Sequence, residues 1–341
     1  MTFVESIIEI DGKKIGVNQP TYFIAEGGLN HNGDIKLAKQ LVEEAKKSGA
    51  SAIKFQTFKT EEFVRKSNKY YPLFKESELT YEEFGELSDY AKQIGITFFS
   101  APFDIESANY LNKIGVPAFK IASSDLINVP LIKHIAKMNK PMIISTGLSI
   151  MKEVEDAVNH CMYEGNDKIS LLHCIAHYPT DPLEANLDAI YTMREKFRIP
   201  IGYSDNGEST LVDLVAVSLG ANIIEKHFTL DKNMSGPDHS FSIDPKGLKN
   251  LMGQIRDIEK IKGHGKKIPQ PTEIEGRYFI RTSITANRDL KEGDILTKEV
   301  LSVKRPAEGI EPKYIEQIIG KKLNKDIKID KQFTFKTRSI D

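Results

Sequence analysis

One apolar run in the chain ends in a carboxylate, Glu26, and leads into a glycine-rich turn. Phe23-Ile-Ala-Glu-Gly-Gly-Leu-Asn-His-Asn-Gly33 passes from three apolar residues through this acid to Asn30 and His31. In parallel α/β sheets, the side chains at the carboxyl ends of the strands form the functional site. A carboxylate in that position can move a proton, so Glu26 is predicted to be the acid or base of the site.

Later apolar runs also end in polar side chains. Lys54 and Gln56 close one run, and Lys120 precedes Ser123 at the end of another. An unpaired ammonium group is costly to bury, so two lysines within apolar runs indicate a shared function. Lysines and hydroxyls that converge in one mouth would suit a ligand with both phosphate and carboxylate groups. Other runs end near Ser145, near Ser204 and Asp205, and near Glu225 and His227.

A scaffold of alternating strands and helices would bring these strand ends together. Short β-rich runs alternate with helical patterns of roughly 10–16 residues, which is typical of repeated β-α units. Eight such units over about 250 residues predict a (β/α)8 barrel, with an open doubly wound sheet as the structural alternative. The strands are predicted at Tyr22–Glu26, Ala52–Gln56, Thr97–Ala101, Ala118–Ile121, Met142–Ser145, Ser170–Cys174, Ile201–Ser204 and Ile223–His227.

The composition of the chain changes after the last helical pattern of the barrel. Residues 1–262 are predicted to form the barrel with a short N-terminal β extension, which turns at Asp11-Gly12. The glycine-, lysine- and proline-rich stretch that follows predicts a linker over residues 263–278. Residues 279–341 are predicted to form a small second domain. A core of that size is marginal alone, so we expect this domain to dock onto the barrel or onto a second subunit.

Composition excludes several classes of function. The 341 residues carry a formal net charge of -1, which gives no indication of a nucleic-acid or polybasic membrane-binding surface. No apolar run approaches the length of a membrane span, and the first residues do not resemble a signal peptide. The two cysteines, Cys161 and Cys174, are too few for a disulfide framework, and we expect a cytoplasmic protein.

Many of these strand ends, taken in order, resemble the sialic acid synthase family. These enzymes condense phosphoenolpyruvate with an N-acetylated hexosamine to give a nine-carbon acidic sugar and phosphate. The C-terminal segment, with Val303-Lys-Arg-Pro306 and Gly309-Ile310, resembles their small antifreeze-like (SAF) domain, which has a β-clip fold. The barrel motifs are Ile24–Gly33, Ile53-Lys-Phe-Gln56, Ser100-Ala-Pro-Phe103, Phe119-Lys-Ile-Ala-Ser123, Ile144-Ser-Thr-Gly147, Tyr203-Ser-Asp205, Glu225-Lys-His-Phe-Thr229 and Gly236-Pro-Asp-His239.

The resemblance implies a (β/α)8 barrel in a homodimer, with each SAF domain swapped onto the partner's active site. It implies that Glu26 is the catalytic carboxylate and that His227 binds a divalent metal, manganese or magnesium. The positions matching those that hold phosphoenolpyruvate are Lys54, Lys120, Ser123, Ser145 and Ser204. The positions matching those that contact the acceptor sugar are Gln56, Tyr178, Asp238 and Arg305, with Arg305 reaching in from the other subunit.

Three positions depart from the family pattern. The second metal histidine of the family falls at Asn206, whose carbonyl oxygen would suit magnesium or manganese better than zinc. The family's asparagine in the loop after the sixth strand falls at Ala176. The threonine of its Ser-Thr-Pro-Phe motif is Ala101. We therefore expect changes in metal affinity or acceptor choice, and one hydroxyl fewer in the phosphoenolpyruvate site.

Two other functions remain open from the sequence. Lys120 could be a Schiff-base nucleophile, as in barrel aldolases. The chain could also be a carbohydrate-binding protein without catalysis, although such a protein needs no acid or base at Glu26. Within the synthase hypothesis, the acceptor could be N-acetylmannosamine, giving N-acetylneuraminate, or a 2,4-diacetamido-2,4,6-trideoxy sugar, giving diacetyllegionaminate.

Overall fold

The computed structural model describes residues 6–335, and the chain divides into two compact units whose boundary in the sequence falls between Gly263 and His264. Within the described residues of the first unit, eight parallel strands close into a barrel in the order β10-β3-β4-β5-β6-β7-β8-β9. The predicted (β/α)8 barrel is confirmed, and closure excludes the open sheet. The strands are β3 (Tyr22–Gly28), β4 (Ala52–Thr57), β5 (Thr97–Pro102), β6 (Phe119–Ile121), β7 (Met142–Ser145), β8 (Ile169–Cys174), β9 (Ile201–Asp205) and β10 (Ile223–His227).

Helices surround the barrel, and the longer ones each bury an apolar face. In α1, for example, Ala38, Leu41, Val42 and Ala45 recur at helical spacing and are buried. The Asp34 side chain caps the first turn of this helix. The helices are α1 (Ile35–Lys47), α2 (Thr60–Phe63), α3 (Tyr71–Ser77), α4 (Tyr81–Ile94), α5 (Ile105–Lys113), α6 (Val129–Ala136), α7 (Met151–Tyr163), α8 (Asp188–Phe197), α9 (Thr210–Ser218) and α10 (Pro245–Lys262).

The predicted N-terminal β extension is a hairpin of β1 (Ile8–Ile10) and β2 (Lys13–Ile15). Its turn residues, Asp11 and Gly12, both have positive φ angles, 50° and 75°. This is the backbone that an Asp-Gly turn between short strands favours.

Strand register brings the polar strand ends side by side at one mouth of the barrel. Glu26 on β3 lies opposite Lys54 on β4 and opposite His227 on β10. On the other side of β10, Glu225 lies opposite Ser204 of β9. Because side chains alternate along a strand, every second residue at these ends points toward the barrel axis.

The second unit has its own small core around Ile284, Leu296, Ile318 and Phe333. It contains α11 (Pro271–Ile280), β11 (Ser283–Ala286), β12 (Leu301–Lys304) and α12 (Ile315–Ile318), and β11 pairs antiparallel with β12. Within residues 6–335, every helix in the protein is too short or too polar to span a lipid bilayer.

The segment 263–278, expected to be a linker, is partly helical. α11 begins inside it, because Pro271 occupies the first helical turn and Glu273 closes a capping box by accepting from the Gln270 backbone N–H at 2.7 Å. Proline and lysine content indicated a break in the chain here but not the helix that follows it. The outer limits of the predicted domains, residues 1 and 341, lie outside the described residues.

Candidate active site

Glu26 is buried at the end of β3, next to a lysine and an amide. Its Oε2 lies 2.8 Å from Lys54 Nζ, and its Oε1 accepts a hydrogen bond of 3.1 Å from Gln56 Nε2. Burial raises the pKa of Glu26, and the nearby Glu225 adds to this, whereas Lys54 opposes both. A buried carboxyl group whose pKa is raised is suited to act as a general acid or base.

Glu225 lies at the centre of the predicted cationic site. Its Oε1 accepts hydrogen bonds of 3.1 Å from both Lys120 Nζ and Ser204 Oγ, and lies 3.5 Å from Lys54 Nζ. Its Oε2 is buried without a hydrogen-bond partner. The structure therefore brings together two lysines and one serine of the five residues predicted to bind phosphoenolpyruvate, around one oxygen atom.

The charges in this cluster balance one another. Burial alone would raise the pKa of Glu225, but Lys120 and Lys54 outweigh it and lower that pKa to about 2. Burial lowers the pKa of Lys120, and Lys54 lowers it further against the effect of Glu225. For Lys54, the pull of Glu225 and Glu26 exceeds the cost of burial, so its pKa is raised. Two cations and two carboxylates thus share one desolvated mouth, where electrostatic interactions are strong.

The other two predicted serines border the same mouth. Ser145 ends β7, and its Oγ is buried without a hydrogen-bond partner. Ser123 follows β6 and accepts a hydrogen bond of 3.0 Å from the Gly147 backbone N–H. Any side chain at Gly147 would lie 2.8 Å from Ser123 Oγ and 3.1 Å from the Cβ of Ala176, so both this glycine and the small Ala176 suit a tightly closed loop.

Aromatic rings and Asp238 surround His227 at the end of β10. Asp238 Oδ2 lies 3.7 Å from His227 Nδ1, and the rings of Tyr178 and Phe241 lie 5.8 and 5.1 Å from the imidazole. Gly28, with a φ of 47°, packs closely against two carboxylates: a Cβ there would lie 3.3 Å from Glu26 Oε1 and 3.4 Å from Asp238 Oδ2. Glycine at this position therefore lets the carboxylates of Glu26 and Asp238 approach the turn that follows β3.

The residues around His227 fit a divalent cation in part. The Nδ1 of His227 is buried without a hydrogen-bond partner and faces a carboxylate, which suits a hard metal ion. The amide nitrogen of Asn206 donates a hydrogen bond to the Ile175 carbonyl oxygen at 2.8 Å, so only its Oδ1 remains to coordinate a metal ion. Among residues 6–335, no group of three or more His, Cys, Asp or Glu side chains is arranged to hold a metal ion. A bound cation would complete its coordination with Asn206, water or substrate.

A buried ion cluster lies behind the site, on the opposite face of β9 and β10. Lys226 forms an ion pair with Asp205, lies 3.2 Å from Asp213 Oδ2 and donates a 2.8 Å hydrogen bond to the Gly207 carbonyl. Asp205 alternates with Ser204 and Asn206 along the chain, and Lys226 alternates with Glu225 and His227 along β10. Asp213 packs against this face from α9. The cluster therefore fixes the strand ends that carry the inward-facing groups.

Arg305 belongs to the second unit. There it lines a cavity of about 630 Å³ together with Arg277, Arg281, Lys313 and Glu311, so cations outnumber carboxylates around it. The role predicted for it in a partner's site stays a prediction. The same holds for the roles of the other predicted residues, although the structure assembles those of the barrel at one mouth.

Glu225 and Asn30 belong to the site in the structure, but the sequence alone assigned neither of them a role. Alternation along β10 puts Glu225 on the same face as His227, and this signal was present in the sequence. The Asn30 amide donates to the Phe228 carbonyl and to Ser242 Oγ, both at 2.9 Å. That contact joins segments about two hundred positions apart, and no local pattern predicts it.

Comparison with known proteins identifies the family. A protein from Methanocaldococcus jannaschii described as uncharacterized protein MJ1065 is 50% identical over 94% of this chain and 95% of its own length. An N,N'-diacetyllegionaminic acid synthase from Legionella pneumophila is 42% identical, over 92% of this chain and 94% of its own. The crystal structure of an N-acetylneuraminic acid (sialic acid) synthetase from Leptospira borgpetersenii, in complex with citrate, superposes with a TM-score of 0.78 at 39% identity, covering 81% of this chain and 96% of that one.

Family models match both units of the chain. The NeuB family model matches residues 41–267, and the SAF domain model matches residues 281–336. The resemblance drawn from the sequence motifs is therefore confirmed, and the chain belongs to the NeuB family, with a C-terminal SAF domain.

Proposed function

We propose that this protein is a nonulosonic acid synthase that condenses phosphoenolpyruvate with an N-acetylated hexosamine and water. The observation that carries this proposal is the convergence of Lys54, Lys120 and Ser204 within 3.5 Å of one buried oxygen, beside the paired carboxyl of Glu26. A site built in this way can hold a multiply charged anion next to an acid/base group. The acceptors that fit the named relatives are N-acetylmannosamine and 2,4-diacetamido-2,4,6-trideoxymannose.

The reaction assigns each group a task. Lys54 and Lys120 hold the phosphate and carboxylate of phosphoenolpyruvate, with hydroxyls of Ser123, Ser145 and Ser204 as directed donors. The C3 carbon of phosphoenolpyruvate bonds to the aldehyde carbon of the open-chain sugar, whose oxygen takes up a proton. Water adds to C2 and loses one proton to Glu26, which balances the proton taken up by the aldehyde oxygen. The C2–O bond to phosphate then breaks while the remaining proton of that water leaves with the phosphate, which gives the 2-keto acid. No covalent bond to the protein forms.

The acceptor would lie on the aromatic side of the mouth. Tyr178 covers that side, and Gln56 and Asp238 offer polar contacts to the sugar beside Glu26. A manganese or magnesium ion held by His227, with Asn206 as an oxygen donor, would polarise the aldehyde as a Lewis acid. The protein's own part is to orient the sugar and to keep bulk water from the reacting carbons.

A homodimer would complete the site. On loops that follow β7 and β8 at the mouth, Leu148, Ile150 and Leu183 are 80%, 67% and 93% exposed, which is unusual for large apolar residues near a functional site. A second copy that covers them and supplies Arg305 would close the mouth. The cationic surroundings of Arg305 suit contact with a site that binds anionic substrates.

The test is a phosphate-release assay with phosphoenolpyruvate, manganese and a panel of acceptor sugars. We expect release that depends on one N-acetylated hexosamine, with a nine-carbon 2-keto acid detected by mass spectrometry. Glu26→Gln should remove most turnover while phosphoenolpyruvate still binds. Absence of acceptor-dependent release across the panel would contradict the proposal and favour a carbohydrate-binding protein.

The aldolase alternative has its own readout. Schiff-base chemistry needs a free amine, and Lys120 Nζ lies instead in an ion pair 3.1 Å from Glu225. We therefore expect no borohydride-dependent labelling of Lys120 in the presence of substrates. Labelling would establish the aldolase mechanism instead.

A further inference from the structure

The glycine-rich turn after Glu26 is joined to the distant loop that carries Asp238. Asn30 is fully buried in this turn, and its Nδ2 donates to both the Phe228 carbonyl oxygen and Ser242 Oγ at 2.9 Å. Ser242 Oγ in turn donates to the carbonyl oxygen of Asp238 at 2.6 Å. A continuous chain of hydrogen bonds therefore runs from the Glu26 strand to the backbone of Asp238.

Other atoms of the same turn also hold Asp238. The Leu29 backbone N–H hydrogen-bonds the Asp238 carboxylate, and the missing side chain of Gly28 leaves room for that carboxylate. The neighbouring His239 is fully buried between Thr229 Oγ1, at 2.6 Å from its Nδ1, and Asn32 Oδ1, at 3.3 Å from its Nε2. Contacts with the turn thus help to set the position of Asp238.

We propose that Asn30 and Ser242 are positioning residues that fix Asp238 for contact with the acceptor sugar. Asp238 lies 3.7 Å from His227, on the side of the mouth where the proposed function places the acceptor. The kinetic consequence of this inference therefore rests on that proposed function. A loop held to the strand of the acid/base keeps the acceptor aligned with the reacting carbon, and misplacement by a fraction of an ångström is costly. The polar turn Leu29–Gly33 therefore acts through Asp238 and not by touching substrate.

The kinetic test compares two buried serines. Ser242→Ala removes the middle of the hydrogen-bond chain and nothing larger than a hydroxyl. Ser170→Ala, in β8, removes a buried hydroxyl that has no hydrogen-bond partner and is the matched control. We expect Ser242→Ala to raise the KM for the acceptor about tenfold and to leave the KM for phosphoenolpyruvate within about twofold, since the two hydrogen bonds that link Asn30 to the Asp238 backbone are lost. Ser170→Ala should change neither.

A double-mutant cycle separates positioning from general loss of stability. In an Asp238→Asn background, Ser242→Ala should add less to the acceptor KM than it does in the wild type, because both changes act through one contact. Equal rises in both KM values for Ser242→Ala, or full additivity in the cycle, would overturn the proposal.

Hydrogen–deuterium exchange tests the same link without any assay of turnover. Peptides spanning residues 229–243 should exchange faster in Ser242→Ala than in Ser170→Ala, while peptides from α4 should not differ. Unchanged exchange in 229–243 would overturn the inference. If the wild-type protein shows no synthase turnover, the proposed function fails, and the exchange result still decides whether the turn holds the Asp238 loop.

Discussion

Glu225 and Lys120 form a buried ion pair at the centre of the mouth, with Nζ 3.1 Å from Oε1. The carboxylate occupies the point toward which Lys54 and Ser204 also turn. Glu225 thus provides the anion that two desolvated ammonium groups require before a substrate arrives. Since removal of one partner from a buried pair leaves the other charge uncompensated, this residue should govern how the empty site is held together.

Glu225→Gln should lower the free energy of unfolding of the ligand-free protein by about 3 kcal/mol, because Lys120 loses its counter-ion. Inorganic phosphate or phosphoenolpyruvate should recover part of this loss, so the rise in Tm on adding either anion should exceed that of the wild type. Thermal unfolding with and without the anions measures both effects. Glu9→Gln, on the exposed face of the N-terminal hairpin, is the control. A variant as stable as this control would show that Glu225 is not needed as a counter-ion.

Ser145→Ala should weaken phosphoenolpyruvate binding without destabilising the fold. The Ser145 hydroxyl is buried without a hydrogen-bond partner, so its removal costs the free protein little, whereas a bound phosphate or carboxylate would lose one donor. We expect a five- to tenfold rise in the KM for phosphoenolpyruvate, on the order of one hydrogen bond. Ser170→Ala, equally buried and equally unpartnered, should leave that KM unchanged. Equal effects of the two substitutions on this KM would show that the Ser145 hydroxyl does not bind phosphoenolpyruvate.

The strand ends could be predicted from the sequence because each strand is a local pattern. Apolar runs between helical patterns placed all eight barrel strands to within two residues at either end, and β3, β4, β9 and β10 carry their polar residues where expected. Register then follows from barrel closure, which makes neighbours of Glu26, Lys54 and His227. Parallel strands with one common direction leave little freedom in which ends meet.

What the sequence did not predict depends on contacts between distant segments. The role of Glu225 comes from two lysines on other strands, and the roles of Asn30 and Ser242 come from a loop that returns to the first barrel strand. The helix α11 was missed because proline and lysine predict a break, while its capping box involves only Gln270 and Glu273. Such interactions are set by tertiary packing and carry weak local signals.

Asn206→His should strengthen binding of a transition-metal ion. The substitution adds a second imidazole near His227 in place of an amide whose nitrogen bonds the Ile175 carbonyl. Imidazole nitrogen is a better ligand than an amide oxygen for zinc, so we expect the affinity for zinc to rise by about tenfold or more and the affinity for manganese to change much less. Calorimetric titration of the metal-free protein measures this directly. Asn250→His, on the exposed surface of α10, controls for an added histidine, and no gain over that variant would place Asn206 outside the metal site.

His31 should make the protein less stable as the pH falls below neutrality. The imidazole is almost fully buried, and burial lowers its pKa from 6.5 to about 4, with Asp34 opposing weakly. Between pH 6.5 and 4 the unfolded chain takes up a proton at this position and the folded protein does not, so the free energy of unfolding decreases as pH falls through that window. The loss from this one group approaches about 3 kcal/mol at the lower end.

Urea unfolding at pH 7, 6, 5 and 4 measures the predicted slope. His31→Asn, which keeps a hydrogen-bond acceptor near the Gly33 N–H, should flatten the decline in the free energy of unfolding, whatever its stability at pH 7. His264→Asn replaces an exposed histidine and should leave the slope as in the wild type. Parallel slopes for the wild type and both variants would mean that His31 takes up its proton in the folded protein, and that the turn after Glu26 opens to water more readily than its burial indicates.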